Sequence, residues 1–394
     1  MFKVFTAGER RKQGWRVYVG KDPRTLRGPA VVFLPIQDHL LCCGLAGFVC
    51  IRRASSAAHG SILEDLERAA GAVYGHGMAS LISGRTGKEA YLDPGSLEEL
   101  HRGITLIKQD SDLQHALLSG GGLGRLREVS QRLKTFVDSE DEALEREAGG
   151  IPPGELEAMT ARLITLKDVS WSLRTDIIGN LDKIQDLAGP GIFENPSLFG
   201  RYLRINACLN ALDRLEVRGR DSAGLQVMVE LRGKDAAAGL RQMLAQEGHL
   251  EEFLSRSGPG DLMNGSIRLG GSSVSFTYKT AQITGELGEN TAKLRAYICR
   301  DSILRVTLGL DCATEAYLTH TRWASVGAIN EVNCHPVDSH TVDQRPGEDQ
   351  GIPVALRDYP FYGQGAWTIS AVLNGDIDNH HRIRNDIEAA GTHV

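Results

Sequence analysis

The chain has 394 residues, 41% of them hydrophobic and 24% charged, with a formal net charge of −6 at neutral pH. That length can bury a full core in two or three domains, and the mild acidity offers no basic field for nucleic acid. Seven cysteines (Cys42, Cys43, Cys50, Cys208, Cys299, Cys312 and Cys334) make an odd set without regular spacing, which argues against a disulfide framework and against a zinc site.

In chain order, residues 1–41 carry basic and aromatic residues and then "LRGPAVVFLPI". The apolar stretch "AVVFLPIQDHLLCCGLAGFVCI" holds Gln37, Asp38 and His39 in its middle, where polar groups are costly in lipid, and it starts too far from Met1 for an ordinary signal peptide. It reads as a buried strand, a turn and a second strand over 43–51, so no membrane span is expected. From about 61 to 190 the pattern is predominantly helical. Leu126, Val129, Leu133 and Phe136 recur at helical spacing after the loop "SGGGLG", and Leu156, Met159, Leu163, Leu166 and Leu173 do so after the break "GGIPPGE". The two stripes predict a long antiparallel helical hairpin closed by "LAGPG".

Past residue 198 the character changes. "FGRYLRINACLNALDRL" predicts a helix, "GLQVMVEL" a strand, "DAAAGLRQMLAQEGHLEEFLSRS" helix, "SSVSFTYKT" an alternating strand and "NTAKLRAYICRDSIL" helix. "EAYLTHTRW" and "GAWTISAVLNG" follow as core strands ending in polar residues. Strands and helices alternate without a strict βαβ rhythm, which favours an α+β fold.

Four stretches carry residue types suited to chemistry: "CGLAGF" from Cys43, "RLEVRGRDSAG" from Arg214, "HTRWASVGAINEVNCHP" from His320 and "LNGDIDNHHRIR" from Leu373. Each alone has an ordinary reading: a buried cysteine, an arginine bracing a turn, a stacked Arg–Trp pair, a loop histidine, an Asn-Gly turn. Together and in this order they resemble the class II, N-terminal-nucleophile glutamine amidotransferases, most of all the glutaminase domain of the glucosamine-6-phosphate synthases (glutamine–fructose-6-phosphate transaminases). The family pattern is Cys-Gly-Ile-Val-Gly, then Arg-Gly-Tyr-Asp-Ser-Ala-Gly, His-Thr-Arg-Trp-Ala-Thr-His-Gly, Asn-Ala-His-Pro and His-Asn-Gly-Ile-Ile-Glu-Asn-His.

The resemblance implies an αββα sandwich of the N-terminal-nucleophile type, interrupted by a helical insertion at about 55–195, with residues 1–42 as a propeptide or N-terminal extension. It implies that Cys43 is the nucleophile with its own α-amine as base, and that Asn374 and Gly375 form the oxyanion hole. Arg322 would clamp the glutamine α-carboxylate. Trp323 and Ser325 would belong to the loop over the substrate, and Arg218 would order the nucleophile's surroundings. Glutamine is the implied substrate, no cofactor or metal is implied, and the expected location is cytoplasmic. Ammonia would go to fructose 6-phosphate in sugar-phosphate isomerase domains that this chain does not include, so Val394 reads as a truncation point. The chain departs from the pattern at Ser325-Val326, where the family has Thr-His, and at Leu373, where it has histidine. It also departs in the forty-two residues ahead of Cys43. The alternatives are a non-catalytic glutamine-binding or regulatory module, or an amidotransferase with another acceptor.

Overall fold

A computed structural model describes residues 44–51, 62–119, 121–189, 191–233, 236–257, 263–270, 272–282, 285–323, 327–338, 370–373 and 379–391. The chain divides into two compact units, one drawn from Ala54–Leu203 and one from the segments on either side. The first is helical and the second holds an antiparallel sheet with helices, so the chain mixes α and β structure.

In the helical unit, α1 (Ile62–Gly75) and α3 (Pro94–Gln109) bury Leu66, Ala69, Val73 and Leu97, Leu100, Ile104 respectively. They meet at Gly103, where a Cβ would come within 2.7 Å of a Leu66 methyl, so the missing side chain sets the closeness of the crossing. Between them lie α2 (Met78–Ile82) and a tight turn in which Leu92 and Asp93 take positive φ, 58° and 35°. Arg162 braces that turn by donating to the carbonyls of Glu89 at 2.9 Å and Tyr91 at 3.1 Å. Glu140, buried, accepts the Met78 N–H at 2.8 Å and so closes the start of α2.

The predicted hairpin is present as the spine of this unit. After α4 (Ser111–Ser119), one arm is α5 (Gly122–Glu147). The other runs from α6 (Pro153–Trp171) through a π-helical stretch, Ser172–Ile178, into α7 (Gly179–Ala188). Asp141 pairs with Lys167 and Arg127 with Asp182, so one arm ascends as the other descends. The apolar stripes face inward: Leu126, Val129, Leu133, Met159, Leu163, Leu166 and Leu173 are all buried. The first stripe continues through Val137 rather than Phe136, which is half-buried. More helices than a bare hairpin are needed because an isolated pair leaves an outer apolar face wet.

The second unit begins with β1 (Gly44–Ile51) and resumes at Arg204, within α8 (Pro196–Leu215). Its sheet has the order β1, β5 (Cys312–Arg322), β2 (Ser222–Leu231), β4 (Ser273–Thr280), β3 (Ile267–Gly270), every pair antiparallel. Helices α9 (Ala236–Gln246), α10 (Leu250–Arg256), α11 (Glu289–Cys299) and α12 (Ser302–Gly309) accompany it. A two-residue ribbon pairs β6 (Val337–Asp338) with β7 (Ser370–Ala371), and α13 (His380–Ala389) is the last described element. The residues expected as a strand at 365–369 lie outside the described ones.

The register sorts side chains onto two faces, since opposed residues in an antiparallel pair point the same way. Leu225, Val227, Val229, Tyr278 and Tyr317 share one face. There the Tyr278 hydroxyl donates to Asp301 at 2.6 Å, ahead of α12, and Arg204 of α8 pairs with Glu315 at 2.6 Å, which also takes the Tyr317 hydroxyl at 2.9 Å. This is the helix-covered face. Gly224, Met228, Ala316, Leu318 and His320 share the other, where Val372, just past the ribbon, packs on Met228, Ala316 and Leu318. Arg268 of β3 pairs with Asp338 of the ribbon at 3.7 Å.

Arg204 and Glu315 are both nearly buried, so removing one leaves the other's charge stranded. Arg204→Met is expected to cost about 3 kcal/mol in urea unfolding, and Arg204→Met/Glu315→Leu to recover most of it. A loss under about 1 kcal/mol for the single variant would mean that water already screens the pair.

Candidate functional site

Three strand ends meet at one end of the sheet. Gly44, the first residue of β1, is opposite Thr321 of β5; Thr321 is opposite Ala223 and Arg322 opposite Ser222, at the start of β2. The sequence stretches beginning at Cys43, Arg214 and His320 therefore converge, although more than 250 positions separate the first from the last. Cys43 itself lies outside the described residues.

The turn ahead of β2 is built on a buried acid. Glu216 is wholly buried and accepts the backbone N–H of Gly288 and, at 3.1 Å, that of Asn290. Both N–H groups belong to the start of α11, where an anion is favoured by the helix dipole and by its unpaired donors. Asn290 in turn donates to the Arg220 carbonyl at 3.2 Å. Arg218 ends the turn half-buried. The next residue, Gly219, sits so close to β5 that a Cβ would fall 2.5 Å from the Arg322 carbonyl carbon and 2.9 Å from the Trp323 nitrogen. Its φ of −170° is ordinary extended backbone, so space rather than conformation demands glycine here. The Asp221 N–H then donates to the Arg322 carbonyl at 3.2 Å.

Arg322 and His320 point to the ribbon-covered face. The Arg322 guanidinium is half-buried and donates to the Ala328 carbonyl at 3.2 Å, an oxygen that also takes the Asn333 amide at 3.0 Å. Trp323 is 56% exposed. The loop continues into His335–Pro336, which lies directly over Gly224: a Cβ on that glycine would be 2.0 Å from the His335 carbonyl oxygen. The rings of His320 and His335 meet edge to face at 4.7 Å. Both then turn to Leu373. His320 Nε2 donates to its carbonyl at 2.9 Å, and its N–H donates to His335 Nδ1 at 3.2 Å. The fourth stretch, which starts at Leu373, thus joins the other three. Asn374, Gly375 and Ser325 lie outside the described residues.

Burial, the nearby His335 ring and the Arg322 charge push His320 down to about 3, and burial with the charges of Lys279 and Arg322 lowers His335. Both are therefore neutral at pH 7. Lys279, fully buried, donates to the Glu331 carbonyl at 3.0 Å, and burial lowers its pKa as well. Cys334 is buried and pushed up by that burial, which keeps it a thiol and makes it a packing residue rather than a nucleophile. Among the described residues no group of three or more His, Cys, Asp or Glu side chains could hold a metal ion, and no helix is long and apolar enough to cross a membrane.

Of the residues expected from sequence to form the site, Arg218, Arg322 and Trp323 are brought to one corner by the Gly219 contact. Glu216 and His320 are not among the expected site residues, and the sequence reads His335 only as a loop histidine, yet each lies inside a quoted stretch. Glu216 is one of the acids in an arginine-rich turn that also holds Asp221, and nothing local distinguishes it from a solvated charge. Comparison of the chain with protein-family models, curated proteins and solved structures gives no match.

Gly224→Ala must displace the His335–Pro336 backbone, and a loss of about 2–4 kcal/mol is expected in urea unfolding. A change within about 0.5 kcal/mol would show that the loop yields freely. A second expectation concerns pH. His320 is neutral in the fold and protonates near pH 6.5 when unfolded, so the unfolded chain binds the extra proton between pH 6.5 and about 3. Its contribution is full above pH 6.5 and is lost as pH falls, at up to about 1.4 kcal/mol per pH unit. His320→Gln should flatten the fall in urea midpoint between pH 7 and 5; an unchanged slope would place the titration elsewhere.

Proposed function

We propose that this chain is the glutaminase part of a class II glutamine amidotransferase, hydrolysing glutamine to glutamate and ammonia. The observation that carries the reading is the convergence at one sheet end of the residues adjoining all four motif stretches: Gly44, Gly219, Arg322 and Leu373. Motif letters scattered by chance would have no reason to share one corner. The two-sided cover of the sheet, helices on one face and a β-ribbon on the other, supports an αββα sandwich of the N-terminal-nucleophile type. The helical unit is then an insertion between β1 and α8.

In this reading cleavage ahead of Cys43 frees its α-amine, which titrates near neutrality and can accept the thiol proton. The thiolate attacks the side-chain amide carbon of glutamine, and the resulting oxyanion is held by the Asn374 amide and the Gly375 N–H. The α-ammonium returns the proton to the leaving nitrogen, ammonia departs, and a thioester remains. Water, deprotonated by the same amine, attacks the thioester, releases glutamate and restores the thiol. Arg322 holds the α-carboxylate through a charge-assisted pair, and Trp323, exposed beside it, covers the substrate. Ammonia passes to fructose 6-phosphate at a sugar-phosphate isomerase site, giving glucosamine 6-phosphate, and the reaction is cytoplasmic.

The test compares two preparations, one beginning at Met1 and one at Cys43, for glutamate release and for labelling by a diazo-ketone analogue of glutamine. The form beginning at Cys43 is expected to be active and labelled on Cys43, and Cys43→Ala to be inert. Arg322→Ala should raise the glutamine KM by about 30- to 100-fold, the worth of a charged hydrogen-bonded pair. No glutamate release from the form beginning at Cys43 would sink the reading and leave a non-catalytic glutamine-binding module. Unchanged KM in Arg322→Ala would remove the clamp.

A further inference from the structure

The ribbon stops two residues short of His335 and Leu373. Val337 is opposite Ala371 and Asp338 opposite Ser370, so continuation would set His335 opposite Leu373. Pro336 has no N–H to extend the ladder, and main-chain pairing ends there. Leu373 nevertheless has both backbone polar groups engaged, each by an imidazole: its N–H donates to His335 Nδ1 at 3.2 Å and its carbonyl accepts from His320 Nε2 at 2.9 Å.

These partners dictate the proton positions. A carbonyl only accepts, so His320 carries its hydrogen on Nε2, and its Nδ1 has no partner among the described residues. A backbone N–H only donates, so His335 keeps Nδ1 bare. The two rings hold opposite roles toward one residue and brace each other edge to face at 4.7 Å. Each is also anchored: His320 lies in mid-ladder, between Leu45 and Gly224, and the His335 carbonyl rests on Gly224. The clamp is therefore tied directly to the sheet rather than to a surface loop.

We infer that His320 and His335 are positioning residues that fix the backbone of Leu373, the residue that precedes the Asn374–Gly375 pair in sequence. This rests on the glutaminase reading, in which that pair forms the oxyanion hole. A planar peptide whose carbonyl is held cannot rotate freely, and oxyanion donors act only when their direction is set beforehand. The inference also accounts for leucine where the family has histidine: the clamp grips main chain, so the side chain at 373 is free to vary. Burial keeps both rings neutral, and His335 must be neutral for its Nδ1 to accept from Leu373.

Replacements that keep the needed atom separate positioning from packing. In His335→Asn the amide oxygen can replace Nδ1 as acceptor, and in His320→Gln the amide nitrogen can replace Nε2 as donor; the leucine variants remove both functions. In the protein beginning at Cys43, His335→Leu and His320→Leu are expected to lower kcat for glutamine hydrolysis by about 10- to 100-fold with KM within about threefold, the scale of a misplaced catalytic group. His335→Asn and His320→Gln should recover to within about fivefold of wild type, and Leu373→Ala should stay within about threefold. Hydrogen exchange of the Leu373 amide, followed by mass spectrometry, should be slow in wild type and His335→Asn and fast in His335→Leu. Leucine variants with unchanged kcat and unchanged exchange would overturn the inference, as would Asn and Gln variants damaged as much as the leucine ones. If the wild type proves inactive, the glutaminase reading falls and the positioning role falls with it; exchange of the Leu373 amide then reports whether the hydrogen bonds alone remain.

Discussion

The register of β5 between β1 and β2 is the constraint on which the second unit depends. A slip by one residue would turn every side chain of β5 to the opposite face. Tyr317 and Glu315 would leave Arg204, and His320 would leave Leu373 for the helices. The register is held by interactions that do not tolerate such a slip: the apolar alternation of β2, the Arg204–Glu315 pair on one face, and the contact of Gly224 with His335 on the other. Its functional consequence is geometric. It brings the beginning of β1, the beginning of β2 and the end of β5 to a single edge, so residues far apart in sequence share one corner.

The two faces solve different problems of polar satisfaction. Regular helices cover one, and their backbone groups are paired internally, so the sheet there needs only apolar side chains and a few complete ionic sets such as Arg256–Asp301–Tyr278. The other is covered by a ribbon and by irregular chain, whose carbonyls lack ladder partners. Side-chain donors supply them: Lys279 to Glu331, Arg322 to Ala328, His320 to Leu373. Buried lysine, arginine and histidine on this face thus follow from what covers it. A surface able to hold loop carbonyls in fixed directions is also one able to hold polar substrate groups.

Much of the fold was legible from periodicity. The apolar run before Ile51, the alternation of "SSVSFTYKT" and the stripes of α5 and α6 are strong local signals, and the structure uses them as strands and helices. Breaks were less legible. "NTAKLRAYICRDSIL" divides because Asp301 turns its carboxylate back to the Leu304 N–H at 3.0 Å and starts a new helix, and the run around residue 248 divides where Gly248 takes φ 78°. The four-residue strand β3 and the ribbon carry no pattern of their own; they exist because β4 and a distant segment offer partners. At the site, the arginines and the tryptophan stood out by type. Glu216, His320 and His335 did not, because their roles are defined by groups 72, 53 and 38 positions away.

The quoted stretches are better understood as sites of close approach than as strings of reactive groups. "VRGRDSAG" contains two glycines that matter by what they lack: Gly219 lets the turn lie against Arg322 and Trp323, and Gly224 lets His335–Pro336 lie on the sheet. Glu216, two residues before Arg218, is buried to hold the same turn on α11. "HTRW" then alternates by strand geometry: His320 and Arg322 face the loop, while Thr321 turns to the helix side, where its hydroxyl reaches the Leu215 carbonyl at 3.4 Å. Read this way, the run of arginines near residue 218 is not a solvated loop that happens to be basic. It is the outer surface of a turn whose inner surface is an acid and a glycine, pressed between a helix end and a strand end, with Arg218 half-buried and Arg214 and Arg220 exposed.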